Sequence, residues 1–225
     1  MLASFHANGF LVLEDFVSHA ACDALRARAG ELVDAFDPTT VRSDFSTTRQ
    51  TQLADQYFLD SGDKIRFFLE EDAFDEHGEL TAAKIDCLNK MGHAMHDLDP
   101  VFDAFSRTAE LAELALRLGY REPGIIQSMY IFKPPRIGGE VVCHQDSTYI
   151  YTEPESCIGF WFALEDATLD NGCMQFIPGL HTGPLKARSR RTEAGASRID
   201  TLDPTPWPEH ERIAVPANKG SLVIF

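Results

Sequence analysis

The sequence predicts a mainly β protein with N-terminal helices, in the α+β class, and three observations support this prediction. Apolar residues recur at helical spacing in several segments before Pro123, whereas short β-branched or aromatic runs separated by turn residues follow it. The chain has 225 residues, of which 44% are hydrophobic and 24% are charged, so it can bury one sizeable core without disulfides. We expect a single domain over residues 1–225, with a helical part at about 1–120 and a β core at about 121–225.

The N-terminal segment predicts a strand followed by a helix. Residues 9–16 form an apolar run that is typical of a short strand, and Ser18 is placed to act as the N-cap of a helix. The pair Asp37-Pro38 ends this helix, because a proline ring disfavours helical backbone in the residue before it. The apolar residues at helical spacing are Leu25, Ala29, Leu32, Val33 and Phe36.

The next segment predicts a long polar connection, a strand and two helices. Residues 39–63 are rich in Thr, Ser, Asp and Gln and indicate an irregular connection, and residues 64–69 indicate an extended run. Residues 81–97 predict a helix, and Asp99-Pro100 supplies the cap and first-turn proline of a further helix that ends near Gly119. The apolar face of the helix over 81–97 consists of Ile85, Leu88, Met91, Ala94 and Met95.

The second half of the chain predicts several short strands, which together indicate a sandwich or a barrel. Turn signals such as Gly138-Gly139 and Asn171-Gly172 separate them. The basic run at 186–191 is interpreted as a solvated loop. The predicted strands lie within 125–133, 140–143, 157–164, 173–178, 213–215 and 221–225.

Charge and cysteine usage narrow the functional classes. A formal net charge of -15 argues against nucleic acid or an anionic membrane as the main partner, although a local basic pocket for an anionic substrate remains compatible with it. The five cysteines are scattered without a C-x-x-C pair, so neither a disulfide framework nor a zinc knuckle is indicated. No signal peptide or membrane-spanning run is found. We expect a cytoplasmic, monomeric protein that acts on a small molecule.

His144-Gln145-Asp146 is the motif that carries chemistry. On a strand, alternate side chains point to the same side, so His144 and Asp146 could share a metal ion while Gln145 points away. An imidazole and a carboxylate are two members of the facial triad of non-haem Fe(II) oxygenases. The same pair could hold zinc in a hydrolase, but we find no further ligands at zinc spacing.

Seven segments around this motif carry a resemblance to a known family. They are 127–135, 138–140, 144–146, 151–154, Trp161, 165–173 and 176–181. Together they closely resemble the phytanoyl-CoA dioxygenase family of oxygenases. The resemblance is strong from about residue 84 to residue 225 and weaker over the N-terminal strand and helix, so it covers nearly the whole chain.

The resemblance implies a fold and a function. The implied core is a double-stranded β-helix (a jelly-roll, cupin-like fold), and the implied reaction hydroxylates a small organic substrate using Fe(II), 2-oxoglutarate and O2, with release of succinate and CO2. By position, His144 and Asp146 resemble the first two iron ligands, and Lys90, Met129 and Trp161 resemble residues that line the 2-oxoglutarate site. Without the resemblance, Lys90 would be interpreted as a solvated helix residue, and Met129 and Trp161 as core.

The resemblance also implies residues that the sequence does not contain. In the family, a strand like 219–225 leads to a second iron-binding histidine and an arginine that pairs with 2-oxoglutarate, and His181 does not take that histidine's place. We therefore expect a core that is incomplete at its C-terminus, with the last strands and the distal histidine following Phe225, and an inactive 225-residue form of an active enzyme. The alternative is a non-catalytic binding or scaffold protein of the same fold.

Overall fold

The computed structural model describes residues 1–41 and 43–225, and its contacts divide the chain into two compact units. The first unit consists of Met1–Asp23 and Val142–Phe225, and the second of Ala24–Val141. Helices and sheets are both present, so the predicted α+β class is confirmed. The single domain stays a prediction.

The helices follow the predicted cap signals closely. Ser18 Oγ accepts a hydrogen bond from Ala21 N at 3.1 Å, so its predicted role as a cap is confirmed. The single helix predicted after Pro100 is instead two helices, because Thr108 Oγ1 accepts a hydrogen bond from Leu111 N at 3.3 Å and starts the second. Within the described residues, the α-helices are α1 (Leu2–Asn8), α2 (His19–Ala35), α3 (Gln56–Leu59), α4 (Met95–Leu98), α5 (Pro100–Ser106) and α6 (Ala109–Arg117).

Helix α1 is not predicted by the sequence. Met1 precedes it without a side-chain cap hydrogen bond, and none of its residues is buried, so neither a cap signal nor an apolar stripe marks it.

In the part of the chain that the structure describes, no helix is both long and apolar enough to cross a bilayer.

The strands pair as separate small sheets. The described residues form four sheets, ordered β1-β10-β5, β2-β3-β4, β6-β9 and β7-β8, and none of the four closes into a barrel. The strands are β1 (Leu11–Leu13), β2 (Ile65–Leu69), β3 (Leu88–His93), β4 (Ser128–Ile131), β5 (Phe160–Phe162), β6 (Met174–Phe176), β7 (Ala187–Arg191), β8 (Ser197–Thr201), β9 (Ile213–Val215) and β10 (Leu222–Ile224). All predicted strands except the one at 140–143 are confirmed.

Strand β10 is the centre of the largest sheet of the first unit. Leu222, Val223 and Ile224 are fully buried, and antiparallel pairing on both sides satisfies their backbone groups. Val223 lies opposite Val12 in β1 and opposite Trp161 in β5. The hydrophobic cluster around Val223 also contains Ala163, Ala217, Phe176 and Phe225.

The second unit is built on the β2-β3-β4 sheet. Phe68 of β2 and Met91 of β3 are fully buried within it. Asp99 Oδ1 accepts a hydrogen bond from Val101 N and caps α5 as predicted, while Arg28 Nε donates to Asp99 Oδ2 at 2.7 Å. A buried carboxylate thus has both a helix terminus and a guanidinium as partners.

The helix predicted over residues 81–97 is wrong. The chain instead forms a 3-10 helix at Lys84–Cys87, strand β3 and the short helix α4. Strand β3 pairs with β2 on one side and β4 on the other, and all but one of its residues are buried. Because a central strand is covered on both faces, its burial does not alternate, and the spacing of Leu88 and Met91 imitates a helical period.

Two further predictions in the second half are corrected. Residues 140–143 contain no strand, and the basic run at 186–191 lies largely in β7 rather than in a loop. Strand β7 pairs with β8 over the full length of both strands. Backbone pairing with β8 therefore decides the structure of this segment, although its run of charge predicts a solvated loop.

Gly220 occupies a position at which any side chain would clash with the backbone of a neighbouring segment. Its φ is +90°, and a Cβ atom there would lie 2.6 Å from the carbonyl oxygen of Val17. We expect Gly220→Ala to lower the free energy of unfolding by about 1–3 kcal/mol for the left-handed backbone alone, and further for the clash. Urea unfolding measures this loss.

Gly195 provides the matched control for this substitution. It also has a φ of +90°, but a Cβ atom there would meet nothing within 4 Å. Gly195→Ala should therefore show only the backbone contribution. Equal losses in the two variants would contradict the steric argument.

Candidate functional site

His144 and Asp146 converge in the first unit. His144 Nε2 lies 3.3 Å from Asp146 Oδ1, and their side chains are 34% and 40% exposed. The predicted projection to one side is therefore observed, although the predicted strand is wrong. Gln145 has extended backbone, with φ -108° and ψ 134°, and Asp146 begins a 3-10 helix at Asp146–Thr148.

The tautomer of His144 suits a metal ligand. His144 Nδ1 lies 2.8 Å from the carbonyl oxygen of Val142, and a carbonyl can only accept, so Nδ1 carries the proton. In the neutral ring, Nε2 then presents its lone pair toward the carboxylate of Asp146. Two partly exposed electron-pair donors aimed at one point are the arrangement that a divalent cation requires, so these residues fit an iron or zinc ion.

Gln145 holds this segment from the opposite side. Its Nε2 donates to the carbonyl oxygen of Pro184 at 3.3 Å, and its Oε1 accepts from Lys186 N at 2.9 Å. Because both ends of the amide are bonded, the backbone between the two candidate ligands is fixed in position.

Two residues near the pair were not predicted. The ring of Tyr149 lies 5.8 Å from the ring of His144 in a T-shaped arrangement. Burial, and then the charge of Asp146, raise the pKa of Tyr149, and the same two causes raise the pKa of Cys157 to about 11. Both groups are thus neutral at physiological pH. The proximity of Tyr149 to the pair could have been predicted from its spacing from Asp146, because residues three apart in a 3-10 helix share a face.

Trp161 lies in the core sheet of the first unit. It is the middle residue of β5, pairs with Val223 of β10 and packs against the cluster that contains Val223. These contacts match the core interpretation of its sequence position.

Lys90 belongs to the second unit and is not on a helix surface as predicted. It lies in β3, is only 5% exposed, and places its ammonium 3.1 Å from the ring centroid of Phe45, with the rings of Phe58 and Phe68 at 5.4 and 5.7 Å. Among the described residues, it has no hydrogen bond or ion pair. Burial lowers the pKa of Lys90 to about 7.

His93 follows Lys90 in the same strand and is also buried. Its Nδ1 lies 2.7 Å from Ser61 Oγ. Burial, and then the nearby charge of Lys90, lower the pKa of His93 to about 4. His93 is therefore neutral at physiological pH.

Met129 lies on the same sheet as Lys90. It is opposite Gly92, while Lys90 is opposite Ile131, so strand alternation puts Lys90 and Met129 on one face. Met129 is 48% exposed, which contradicts a plain core role. The sheet thus brings together a buried cation and an accessible thioether.

The candidate metal centre has two side-chain ligands in the part of the chain that the structure describes. In residues 1–41 and 43–225, no group of three or more His, Cys, Asp and Glu side chains could hold a metal ion. His181 Nε2 donates to the carbonyl oxygen of His6 at 3.1 Å, and its exclusion as a ligand stays a prediction. The second histidine expected after Phe225 stays a prediction.

Comparisons with known proteins agree with this chemistry. The family model "Phytanoyl-CoA dioxygenase (PhyH)" matches residues 5–225. A phytanoyl-CoA dioxygenase of Arabidopsis thaliana is 46% identical over 219 residues, covering 97% of this chain and 76% of that protein. Phytanoyl-CoA dioxygenase domain-containing protein 1 of Bos taurus is 48% identical over 201 residues, covering 87% of this chain and 69% of that protein.

Solved structures show the same fold at lower identity. EctD from S. alaskensis, determined with 2-oxoglutarate and 5-hydroxyectoine, matches with a TM-score of 0.58 and 18% identity, and the match covers 100% of this chain but 65% of EctD. AviO1 from Streptomyces viridochromogenes Tue57 matches with a TM-score of 0.58 and 20% identity, covering 99% of this chain and 80% of AviO1. On the family match and the close relatives, the chain belongs to the phytanoyl-CoA dioxygenase family.

Proposed function

We propose that this protein is an Fe(II)- and 2-oxoglutarate-dependent dioxygenase that hydroxylates a small organic substrate. The observation that carries the proposal is the convergence of His144 Nε2 and Asp146 Oδ1 at 3.3 Å in a chain of this family. The family membership and the fold shared with EctD, a protein solved with 2-oxoglutarate and with Fe, support the choice of metal and co-substrate. We also propose a double-stranded β-helix as the architecture of the core.

The roles of the two ligands follow from their contacts. When bound, iron with 2-oxoglutarate and O2 would supply the oxidising chemistry and release succinate and CO2. The hydrogen bond from His144 Nδ1 to Val142 fixes the ring with Nε2 on the side of Asp146. The carboxylate of Asp146 supplies the negative charge, and Gln145 keeps the two ligands in register. No general base is needed from the protein.

Lys90 is proposed to bind a carboxylate of 2-oxoglutarate. A buried ammonium without an ion pair among the described residues is unfavourable, and an anionic ligand would relieve that cost. The rings of Phe45, Phe58 and Phe68 hold the ammonium in one place. Roles of Met129 and Trp161 in co-substrate binding stay predictions, and each can be tested by the change in 2-oxoglutarate affinity on substitution.

Succinate release tests the proposed reaction. We expect the purified protein to form succinate from 2-oxoglutarate in the presence of Fe(II) and O2, and His144→Ala to abolish it because a ligand is lost. His210→Ala is the matched control, since that side chain is 81% exposed and its Nε2 lies 3.6 Å from Glu211 Oε1. Chromatography of succinate gives the readout. The expected lack of activity in the 225-residue form is not supported by these findings, so the assay begins with this chain.

The outcome also separates the competing functions. Iron-independent release of succinate, or equal activity in the His144→Ala variant, would contradict the proposal. A folded protein that binds 2-oxoglutarate without turning it over would favour the non-catalytic alternative. Zinc-dependent hydrolysis of an ester would favour the hydrolase.

A further inference from the structure

The hairpin of β7 and β8, called here the basic hairpin, presents arginines on one face. Arg188 lies opposite Asp200, and Arg190 lies opposite Arg198, so these four side chains share a face. Three guanidinium groups accompany one carboxylate there, in a chain whose formal net charge is -15. The charge of this face is therefore opposite to that of the protein as a whole.

The single carboxylate of this face does not neutralise it. Asp200 accepts from Arg190 Nε at 3.2 Å and from Arg198 Nε at 2.9 Å, so one acid is shared between two bases. Like charges directly across a strand pair destabilise a sheet, and the pairing of Arg190 with Arg198 is therefore unfavourable for folding alone. An arrangement that works against the stability of the hairpin favours a role in binding.

The guanidinium group of Arg188 stacks on an aromatic ring. Its guanidinium carbon lies 3.5 Å from the ring centroid of Tyr151, and it has no ion pair among the described residues. The hydroxyl of Tyr151 donates to Glu153 at 3.2 Å, which fixes the ring beneath the guanidinium. A stacked guanidinium keeps the hydrogen-bond donors at its edge free for an acceptor.

The basic hairpin adjoins the candidate metal ligands within the first unit. Gln145, which lies between His144 and Asp146, bonds to Lys186 N at the start of the hairpin. Tyr151 follows Asp146 closely in sequence and contacts Arg188. The hairpin is thus attached at two points to the segment that would hold the metal.

We propose that the basic hairpin binds an anionic group of the substrate, a phosphate or a carboxylate, through Arg188 and Arg198. This inference rests on the proposed function, because it assigns the substrate class of the same reaction. Guanidinium groups bind oxyanions through two parallel hydrogen bonds, and Arg188 and Arg198 present such donors from diagonal positions on one face of the hairpin. The substrate is then a small organic anion.

Inorganic phosphate is the probe that tests the inference. Titration of the ¹⁵N-labelled protein should shift the backbone amides of β7 and β8, with acetate as the carboxylate arm. We expect Arg188→Gln and Arg198→Gln each to weaken phosphate binding about tenfold, which corresponds to loss of one charge-assisted hydrogen bond. Arg188→Lys should restore only part of the affinity, because it keeps the charge but loses the planar fork.

The control is a substitution that removes the same charge at a position outside the basic hairpin. Arg117 is exposed and pairs with Glu113 on α6, so Arg117→Gln should leave phosphate binding unchanged. Unshifted hairpin amides in the unsubstituted protein, or equal binding in Arg188→Gln, would overturn the inference. Binding of a single-stranded oligonucleotide without binding of phosphate or acetate would also overturn it, because the hairpin would then recognise a polyanion.

Failure of this inference is distinguishable from failure of the proposed function. Arg188→Gln should leave Fe(II) occupancy unchanged, since Arg188 is not a ligand. Asp146→Ala should leave phosphate binding at the hairpin unchanged. A loss confined to phosphate binding thus concerns the substrate class, and a loss confined to iron concerns the reaction.

Discussion

Asp146→Ala is expected to remove Fe(II) from the protein. The carboxylate is the charged member of the His144–Asp146 pair, and its Oδ1 lies 3.3 Å from His144 Nε2. Loss of a supporting partner around a metal ligand already lowers metal affinity by about 10–100-fold, and loss of a ligand should exceed that. Anaerobic titration with Fe(II) and elemental analysis of the dialysed protein measure the change.

The variant should remain folded. Asp146 is 40% exposed, so its replacement leaves no buried cavity. Asp170→Ala is the matched control, because Asp170 is an exposed acid of the same unit and should leave iron binding unchanged. Unchanged Fe(II) occupancy in Asp146→Ala would count against the assigned metal site.

Lys90→Met is expected to raise stability and to weaken co-substrate binding. Methionine has a similar shape, packs well against aromatic rings and does not need to bury a charge. Because burial lowers the pKa of Lys90 from 10.5 to about 7, removal of the ammonium should stabilise the fold by on the order of 4 kcal/mol at neutral pH, less the lost cation-π contacts. The affinity for 2-oxoglutarate should fall because the cation is lost.

The contribution of Lys90 to the free energy of unfolding depends on pH. Between pH 7 and pH 10.5 the unfolded chain holds a proton on Lys90 that the folded chain has released, so the contribution of Lys90 to stability rises with pH in that window. Below the folded pKa both states are protonated, and the penalty is constant. Urea unfolding at several pH values should show this slope as the difference between the original protein and Lys90→Met.

Lys64→Met is the control for the lysine substitution. Lys64 is 44% exposed and pairs with Asp63, so neither the stability nor the 2-oxoglutarate affinity should change much. A loss of stability in Lys90→Met would contradict the argument from burial. Stabilisation with unchanged 2-oxoglutarate affinity would contradict the proposed role of Lys90 in co-substrate binding.

Elements with local signals could be predicted from the sequence. Helix α2 follows its cap at Ser18, and the short apolar runs that become β5, β6, β9 and β10 are bounded by turn residues. The convergence of His144 and Asp146 could also be predicted, because an extended Gln145 suffices to put its neighbours on one side. In these cases the conformation depends on residues close in sequence.

Elements that depend on distant partners could not be predicted. Strand β3 is a strand because β2 and β4 pair with it, and its own sequence imitates a helix. The burial of Lys90 requires Phe45 and Phe58, which approach it from a polar segment that predicts only an irregular connection. The basic hairpin likewise requires pairing between two charged strands, which neither strand indicates alone.

The position of β10 between β1 and β5 has a consequence for biosynthesis. Residues 11–13 leave the ribosome early, but their partner at 222–224 is translated roughly 200 residues later. Strand β1 therefore remains unpaired with β10 while the intervening residues are synthesised. Such a distant closure slows folding and leaves an apolar edge open to chaperones and proteases. Pulse-labelled nascent chains should therefore acquire protease resistance in the first unit only after residues 222–224 have emerged from the ribosome.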